Sequence, residues 1–476
     1  MEKLKNYLKK PVFWSFLICF LYWIYLFFTS HPVLSCDAFD YEYLGKLFYE
    51  NRWLDYFKNG PMREPFYPLL VSLAMRLGNY FSISYLQVIT IFQLLILLLT
   101  QLITLHILRL LKIKDMIIAL TILYLGISPA IVNSALSLFS EIATYPIILS
   151  IVLVSYYAWL SFNKSKVRVT MLAISSGILF CLVTLSKGIF EIITPVFIIL
   201  VFILSLFTRK RKFILNAFSY LLIASAVFYA PITAYKLTNK IFNGHFAITN
   251  RGDYALYGAT ARRTESLTTK HFFTALAFVP GEGFCQGIFG KEECSYWGFE
   301  RIYGVGYEKL DTLKASGLQP EDASRSIVRL AIKKALQNPA QYTLFWMLEG
   351  VKMLFWESTQ IGFVAYPRIL ETIFNWKLFK NTLRLSIFIL TFMALIYLVR
   401  LLWRKRKMMF TCKQLDQENT EIFLILCLFL ISLFIGAYSL VSTVPRFSLP
   451  IAPLCLIVIA FFFQQLLAGG KTNLKG

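Results

Sequence analysis

The chain contains repeated apolar stretches of about 18 residues or more, and this feature limits its possible folds more than any other. A helix rises about 1.5 Å per residue, so about 20 apolar residues cross the roughly 30 Å hydrocarbon core of a bilayer. Only 16% of the residues are charged and 57% are hydrophobic, whereas soluble domains average about 25% charged residues. The sequence therefore predicts an all-α polytopic membrane protein and excludes a secreted disulfide scaffold, a disordered chain and a soluble nucleic-acid-binding protein.

Ten stretches have this length, and the basic residues between them indicate an orientation. The stretches lie near residues 12–30, 83–108, 116–137, 144–162, 170–186, 189–207, 213–235, 382–402, 421–441 and 449–467. Clusters of basic residues precede the first stretch and follow every second one: Lys3, Lys5, Lys9, Lys10; Arg109, Lys112, Lys114; Lys164, Lys166, Arg168; Arg209, Lys210, Arg211, Lys212; Arg404, Lys405, Arg406, Lys407; and Lys471, Lys475. Cytoplasmic loops are enriched in Lys and Arg, so this alternation predicts cytoplasmic termini. It also accounts for much of the net charge of +22 without nucleic acid as a partner.

This orientation divides the chain into three parts. Residues 1–235 form an N-terminal transmembrane module of seven spans, with a first outer loop at 31–82. Residues 236–381 form an extracytoplasmic region, and residues 382–476 contain the last spans. In the first outer loop, apolar residues at helical spacing predict an interfacial helix over 38–50 and a second over 65–78. The first span has no A-x-A site after it and is longer than a usual signal-peptide core, which favours a retained anchor.

Two features of the extracytoplasmic region leave alternatives open. Residues 339–357 are aromatic and apolar, but Glu349 and Lys352 favour an interfacial helix over a lipid-exposed span. If this segment crosses the membrane instead, the orientation of everything after it changes. Cys285 and Cys294 could pair as a disulfide in an oxidising compartment or remain free thiols.

Two charged positions in the first outer loop are candidates for chemistry. Asp37 directly follows the first span, where it could act as a general base or simply cap the helix that begins beside it. Arg63 and Glu64 precede Pro65. The guanidinium group could bind a phosphate in bidentate fashion beside a second carboxylate, or the segment could be an ordinary polar turn.

Further candidates lie at the ends of later spans on the same predicted side. Glu141 begins the fourth span, where it could be a second acidic position or could complement the helix dipole. Lys187 lies in the turn after the fifth span, with Glu191 on the same helix face. Arg446 lies between the ninth and tenth spans. Both cations could bind a lipid phosphate or snorkel to the interface.

These segments resemble a family of membrane enzymes. Ser35-x-Asp37-Ala38-x-x-Tyr41-x-x-Leu44 and Arg63-Glu64-Pro65-x-Tyr67-Pro68 resemble the first outer loop of the GT-C integral membrane glycosyltransferases, in the protein O-mannosyltransferase and aminoarabinose-transferase group. Further along the chain, Ser140-Glu141 resembles the group's second acidic position, and Asn338-Pro339-x-x-Tyr342 resembles the short helix after its outer domain. The segment that enters the group's last spans is resembled by Pro445-Arg446-Phe447-x-x-Pro450-x-x-Pro453. The resemblance extends in order over roughly 12–467.

The resemblance implies a GT-C-like fold and an activity. Such enzymes transfer a sugar from a polyprenyl-phosphate donor to an acceptor outside the cytoplasm, with the acidic residue after the first span, here Asp37, as the catalytic residue. Glu64 would lie at the same cavity. Some members bind a divalent metal, although no ligand set in this sequence supports one. The expected partners are the donor, a lipid, glycan or protein acceptor and membrane lipids, at a bacterial inner membrane with the site facing the periplasm or exterior.

The chemistry of the residues agrees with this expectation. The leaving group is an ionised phosphate, so it needs cations such as Arg63, Lys187 and Arg446, while Asp37 can take the proton of the acceptor. One displacement of this kind inverts the anomeric carbon. A flippase for lipid-linked sugars would carry charges in the middle of its spans and a repeated hydropathy pattern. The sequence shows few mid-span charges and no clear repeat. A surface-polysaccharide polymerase or ligase would place its long outer loop differently.

Overall fold

The computed structural model describes residues 10–58, 60, 62–208, 210–265, 267–357, 362–409, 420–441 and 443–469. Six residues of the predicted cytoplasmic clusters lie outside the described residues, namely Lys3, Lys5, Lys9, Arg209, Lys471 and Lys475. Within the described ranges nearly all regular structure is helical, and the β structure there is one two-residue ladder. The predicted class, an all-α polytopic membrane protein, is confirmed.

The helices follow one another with short connections. The N-terminal half contains α1 to α11, which are Pro11–Thr29, Asp37–Tyr49, Trp53–Lys58, Phe66–Phe81, Tyr85–Leu110, Asp115–Ile127, Pro129–Leu136, Glu141–Ser161, Lys166–Thr184, Phe190–Leu206 and Arg211–Asn243. The second half contains α12 to α22, which are Gly252–Thr264, Thr269–Phe278, Glu282–Phe289, Lys291–Ser295, Phe299–Ala315, Pro320–Gln337, Pro339–Lys352, Arg368–Asn375, Lys377–Met409, Thr420–Tyr438 and Ala452–Gly469. A 3-10 helix, Pro445–Ile451, runs directly into α22.

Eight helices of the described chain are long and apolar enough to cross a membrane, by length and composition. They are α1, α5, α8, α9, α11, the Lys377–Arg404 part of α20, α21, and the 3-10 helix continued by α22 to Ala468. Two further predicted stretches have a different form. Helices α6 and α7 are bent by 47° at Ser128, and α10 has 17 residues. Pro129 explains the bend, because a proline disfavours helical backbone at the residue before it.

The first outer loop contains the two predicted helices and one that the sequence did not indicate. Helices α2 and α4 correspond to the predicted stretches 38–50 and 65–78, and α4 begins after Pro65. The segment between them forms the short helix α3. A pair of strands, β1 (His31–Pro32) and β2 (Val364–Ala365), ties this loop to the segment that follows α18.

The predicted extracytoplasmic region packs around two small apolar cores. Helices α12, α16 and α17 enclose the first, and α12 and α16 meet at Gly258 and Gly306, where an added Cβ would lie 2.1 Å and 2.0 Å from backbone carbonyl oxygens of the opposite helix. The second surrounds Trp297 and contains a disulfide between Cys285 and Cys294, so the disulfide alternative is confirmed.

Helix α18 corresponds to the segment whose spanning was left open. It has 14 residues, or about 21 Å, which is shorter than the roughly 30 Å hydrocarbon core. The side chains of Glu349 and Lys352 pair at 3.6 Å on its buried face. Its length therefore favours the interfacial position over a span.

Close helix packing predicts a sensitive glycine in α6. A Cβ at Gly126 would lie 2.3 Å from Cys19 Sγ of α1 and 2.6 Å from Gln101 Nε2 of α5. We expect Gly126→Ala to lower the free energy of unfolding by about 1–3 kcal/mol through overpacking. Gly304→Ala is the matched control, because nothing lies within 4 Å of its added Cβ. Thermal unfolding in detergent measures both, and equal melting temperatures would contradict the close packing of α1 on α6.

Candidate functional site

Asp37 is held between two arginines that come from distant parts of the chain. Arg63 donates from Nη2 to Oδ1 of Asp37, and Arg446 donates from Nη2 to Oδ2. The Nε of Arg63 also donates to Oδ2 of Asp40, at 3.0 Å. The three side chains that meet at Asp37 are mostly buried, with 23% of Asp37, 11% of Arg63 and 10% of Arg446 exposed.

The alternative that Asp37 caps α2 is wrong, because Cys36 occupies the N-cap position and Asp37 is the first helical residue.

The loop that carries Arg63 and Glu64 is held by three hydrogen bonds. The Tyr56 hydroxyl donates to the carbonyl oxygen of Arg63 at 3.1 Å. The Glu64 Oε1 accepts the backbone N–H of Gly188 at 2.7 Å, and the Phe66 N–H donates to the carbonyl oxygen of Leu185 at 3.0 Å. The loop is therefore docked on the turn between α9 and α10, and Lys187 lies in that turn.

A second carboxylate, Glu141, binds Lys187 and also lies near Arg446. Lys187 Nζ donates to Glu141 Oε1 at 3.0 Å, and the Nε of Arg446 lies 3.7 Å from the same oxygen. The Arg446 guanidinium stands over the Phe139 ring at 4.3 Å. Glu141 is only 2% exposed, so its charge requires these cations. Ser140, at the N-cap of α8, makes no capping bond with its side chain and instead contacts the Tyr41 hydroxyl at 2.8 Å.

The charges shift the protonation equilibria of the groups outside the spans. Burial by itself would raise the pKa of Asp37, but Arg446 and Arg63 outweigh it and hold this pKa well below its usual range. Burial would lower the pKa of Lys187, but Glu141 outweighs it and raises this pKa. Asp37 is therefore ionised at neutral pH, and it is a weak base while both arginines hold it.

Arg63, Glu64 and Lys187 line one wall of a cavity of about 390 Å³, and Asp37 contacts this wall through Arg63. The opposite wall comes from the loop before α12 and from α12, α16 and α17, and its polar members include His245, Asn250, Arg251, Asp253, Tyr303 and Ser324. Among the residues that the structure describes, Glu64 forms no ion pair within 4 Å, so it is the carboxylate of the cluster without a paired cation.

The structure brings together all six predicted site residues: Asp37, Glu64, Arg63, Lys187, Arg446 and Glu141. One predicted neighbour is not among them, because Glu191 pairs with Lys236 of α11 at 2.5 Å rather than with Lys187.

Two members of the cluster were missed by the sequence analysis. Asp40 stands three residues after Asp37 on the same helix face, a spacing that could have indicated it. Arg251 lies 3.4 Å from Asp40, and nothing in the sequence pattern connects these two residues.

Three of the four carboxylates of the cluster do not fit a divalent metal as they are arranged. Asp37, Asp40 and Glu141 each have an arginine or lysine as their counter-ion. Within the described ranges, no three His, Cys, Asp or Glu side chains are grouped as metal ligands would be. We therefore derive no chemical step through a metal.

A scan of protein-family models finds no match to the chain, and a search of curated proteins finds no significant relative. The site is therefore interpreted from its own geometry and chemistry.

The buried pair at Glu141 predicts a strong effect on stability. Lys187→Met leaves Glu141 buried with only the 3.7 Å contact to Arg446, so we expect a loss of about 3–5 kcal/mol in the free energy of unfolding. The double variant Lys187→Met with Glu141→Gln should recover most of that loss, because it removes both charges.

The control is Lys46→Met, which breaks the 3.8 Å pair with Glu50 where 64% of Lys46 is exposed. It should cost less than about 1 kcal/mol. Chemical unfolding in detergent measures all three variants. A Lys187→Met protein as stable as the control would mean that Glu141 is not held by Lys187.

Proposed function

We propose that the chain is a membrane glycosyltransferase of GT-C type, which moves a sugar from a polyprenyl-phosphate donor to an acceptor at the extracytoplasmic face. The observation that carries this proposal is the Asp37 carboxylate between Arg63 and Arg446, beside a cavity that Arg63, Glu64 and Lys187 line. The arrangement offers what the reaction needs, namely cations for a phosphate and carboxylates for an acceptor hydroxyl.

The donor phosphate competes with Asp37 for the two arginines. A guanidinium group binds a carboxylate and a phosphate with the same forked geometry, so a phosphate can replace the carboxylate at Arg63 and Arg446. This exchange has two consequences. The arginines then neutralise the phosphate that will leave, and Asp37 loses the charges that hold its pKa low. Donor binding therefore turns Asp37 from a weak base into a stronger one.

The transfer step then proceeds as a single displacement. The oxygen of the acceptor hydroxyl forms a bond to the anomeric carbon, and the bond between that carbon and the phosphate oxygen breaks. The electron pair leaves with polyprenyl phosphate, which Arg63, Arg446 and Lys187 stabilise. The hydroxyl proton goes to Asp37. Glu64 lines the cavity and is a second carboxylate that can accept hydrogen bonds from the hydroxyl groups of the acceptor molecule. Attack opposite the leaving group inverts the anomeric configuration.

The proposal includes ten spans, with both termini in the cytoplasm and the site at the opposite face. Its support is the eight long apolar helices together with the bent pair α6–α7 and the 17-residue α10, which coincide with the ten apolar stretches. A bacterial inner membrane, with the site facing the periplasm, is part of this proposal.

Reporter fusions check the orientation. Alkaline phosphatase fused after residue 60 or after residue 290 should be active, because both positions lie on the extracytoplasmic side in the proposal. A fusion after Lys164, which belongs to a predicted cytoplasmic cluster, is the control and should be inactive. A cytoplasmic signal at 60 or 290 would overturn the placement of the site.

Asp37→Asn separates the chemical role of Asp37 from its role in holding the arginines. We expect the purified variant to transfer sugar from a panel of polyprenyl-phosphate sugars about 10²–10⁴-fold more slowly, because the base is lost. It should also bind undecaprenyl phosphate more tightly, because a neutral amide competes less well for Arg63 and Arg446.

Asp55→Asn is the matched control, since Asp55 pairs with Arg52 at the surface of the same loop and not with Arg63 or Arg446. Its transfer rate and binding should equal those of the parent. A folded Asp37→Asn protein that transfers at the parent rate would show that Asp37 is not the base. Weaker binding of undecaprenyl phosphate would exclude the exchange at the arginines.

A further inference from the structure

Helices α13 and α14 form a hairpin with one buried and one exposed apolar side; we refer to Thr269–Phe289 as the outer hairpin. Its buried side packs against Trp297 and against Phe345 of α18. The side turned away from that core consists of four large apolar residues, of which Phe273 is 50%, Leu276 47%, Phe284 53% and Ile288 58% exposed. An apolar surface of this size has a partner or lies against lipid.

The turn of the outer hairpin lies at a defined level of the helix bundle. An added Cβ at Gly281 would be 2.8 Å from Nη1 of Arg384, so the turn rests directly on that guanidinium. Gly281 has φ of +139°, which side-chain-bearing residues rarely adopt, and this backbone brings the turn close to α20. The hairpin therefore stands beside α20 at Arg384.

A charge-free length of α20 begins directly after Arg384. Residues 385–399 of α20 carry no charged side chain, and the next basic residue is Arg400. The 16 helical steps from Arg384 to Arg400 cover about 24 Å, close to the roughly 30 Å of a hydrocarbon core. A bilayer fitted to this charge-free length has Arg384 and Arg400 near its two interfaces, and the hairpin turn then lies at the interface of Arg384.

The charges of the outer hairpin agree with a position at this interface. Between residues 272 and 290 the only charged side chain is Glu282, which accepts a hydrogen bond from Gln286 at 2.9 Å. The other charges stand at the open end, where Lys270 pairs with Glu293 at 2.6 Å. The disulfide between Cys285 and Cys294 holds α14 against the core and leaves Phe284 and Ile288 exposed.

We propose that the outer hairpin is a monotopic membrane contact, whose four exposed apolar residues insert among the acyl chains of the leaflet at the Arg384 end of α20. The same end of α20 also has exposed apolar side chains, among them Leu385 and Ile389. Insertion removes this apolar surface from water and places the polar open end among the headgroups. The contact holds α18, which packs on the same core, at the level of the interface.

Nitroxide accessibility tests this contact. Phe284→Cys and Ile288→Cys are made in a Cys36→Ser, Cys412→Ser background, spin-labelled and reconstituted into phosphatidylethanolamine–phosphatidylglycerol vesicles. Both labels should relax more with oxygen, which concentrates in lipid, than with a water-soluble nickel chelate. Ile389→Cys on α20 is the lipid control and Asp311→Cys on α16 the water control, since both positions are exposed.

Three outcomes decide the proposal. Labels that follow the Ile389 control support the membrane contact. Labels that follow the Asp311 control show that the face lies in water and overturn it. Labels that neither reagent reaches show that protein, such as a second copy of the chain, covers the face, which also overturns it. Mass spectrometry of non-reduced peptides verifies the disulfide in each labelled protein, so that only intact hairpins are compared.

Discussion

The rest of the structure depends on the pairing of Asp37 with Arg63 and Arg446. These contacts join residues 26 and 409 positions apart, so they bring the first outer loop against the segment that enters the last apolar helix. Buried charges are costly without partners, and each of these three groups would be destabilising without the others. The bundle therefore closes around its own ion pairs, and a cavity remains beside them. The same requirement explains how an ion-pair network can serve chemistry, because a ligand phosphate can take the place of a carboxylate only where the cations are already in position.

The predicted extracytoplasmic region completes the cavity and ties it to the bundle. Arg251, in the loop before α12, contacts Asp40 of α2, and the β1–β2 ladder joins the start of the first outer loop to the segment after α18. Close contact at Gly258 and Gly306, together with the Cys285–Cys294 disulfide, stiffens the two small cores of this region. A ligand in the cavity would therefore touch the membrane helices on one side and this region on the other. In the proposed function, this contact gives the region a physical route to select the acceptor.

Much of the fold follows from the sequence because apolar length is a local property. The long apolar stretches and the helices α2 and α4 were predictable from hydropathy and helical spacing. The site was predictable only in part. Asp37, Glu64 and Glu141 stood out as carboxylates at the ends of apolar stretches, whereas their partners depend on packing. Glu191 illustrates the limit, since its spacing suggested Lys187 and its actual partner is Lys236 on another helix. Arg251 had no signal at all, because it approaches Asp40 only through the tertiary fold.

The sequence by itself determined that this chain is a helical membrane protein, because the hydrophobic effect and the need to satisfy backbone hydrogen bonds in lipid leave few other solutions for such long apolar stretches. It also determined which charged residues stand at the ends of those stretches. Only the tertiary structure decided which charges meet, because contacts across the bundle are set by helix packing and by the cost of burying a charge alone. That packing placed Asp37 between two arginines rather than at a helix cap, and it placed the turn of the outer hairpin against Arg384 of α20.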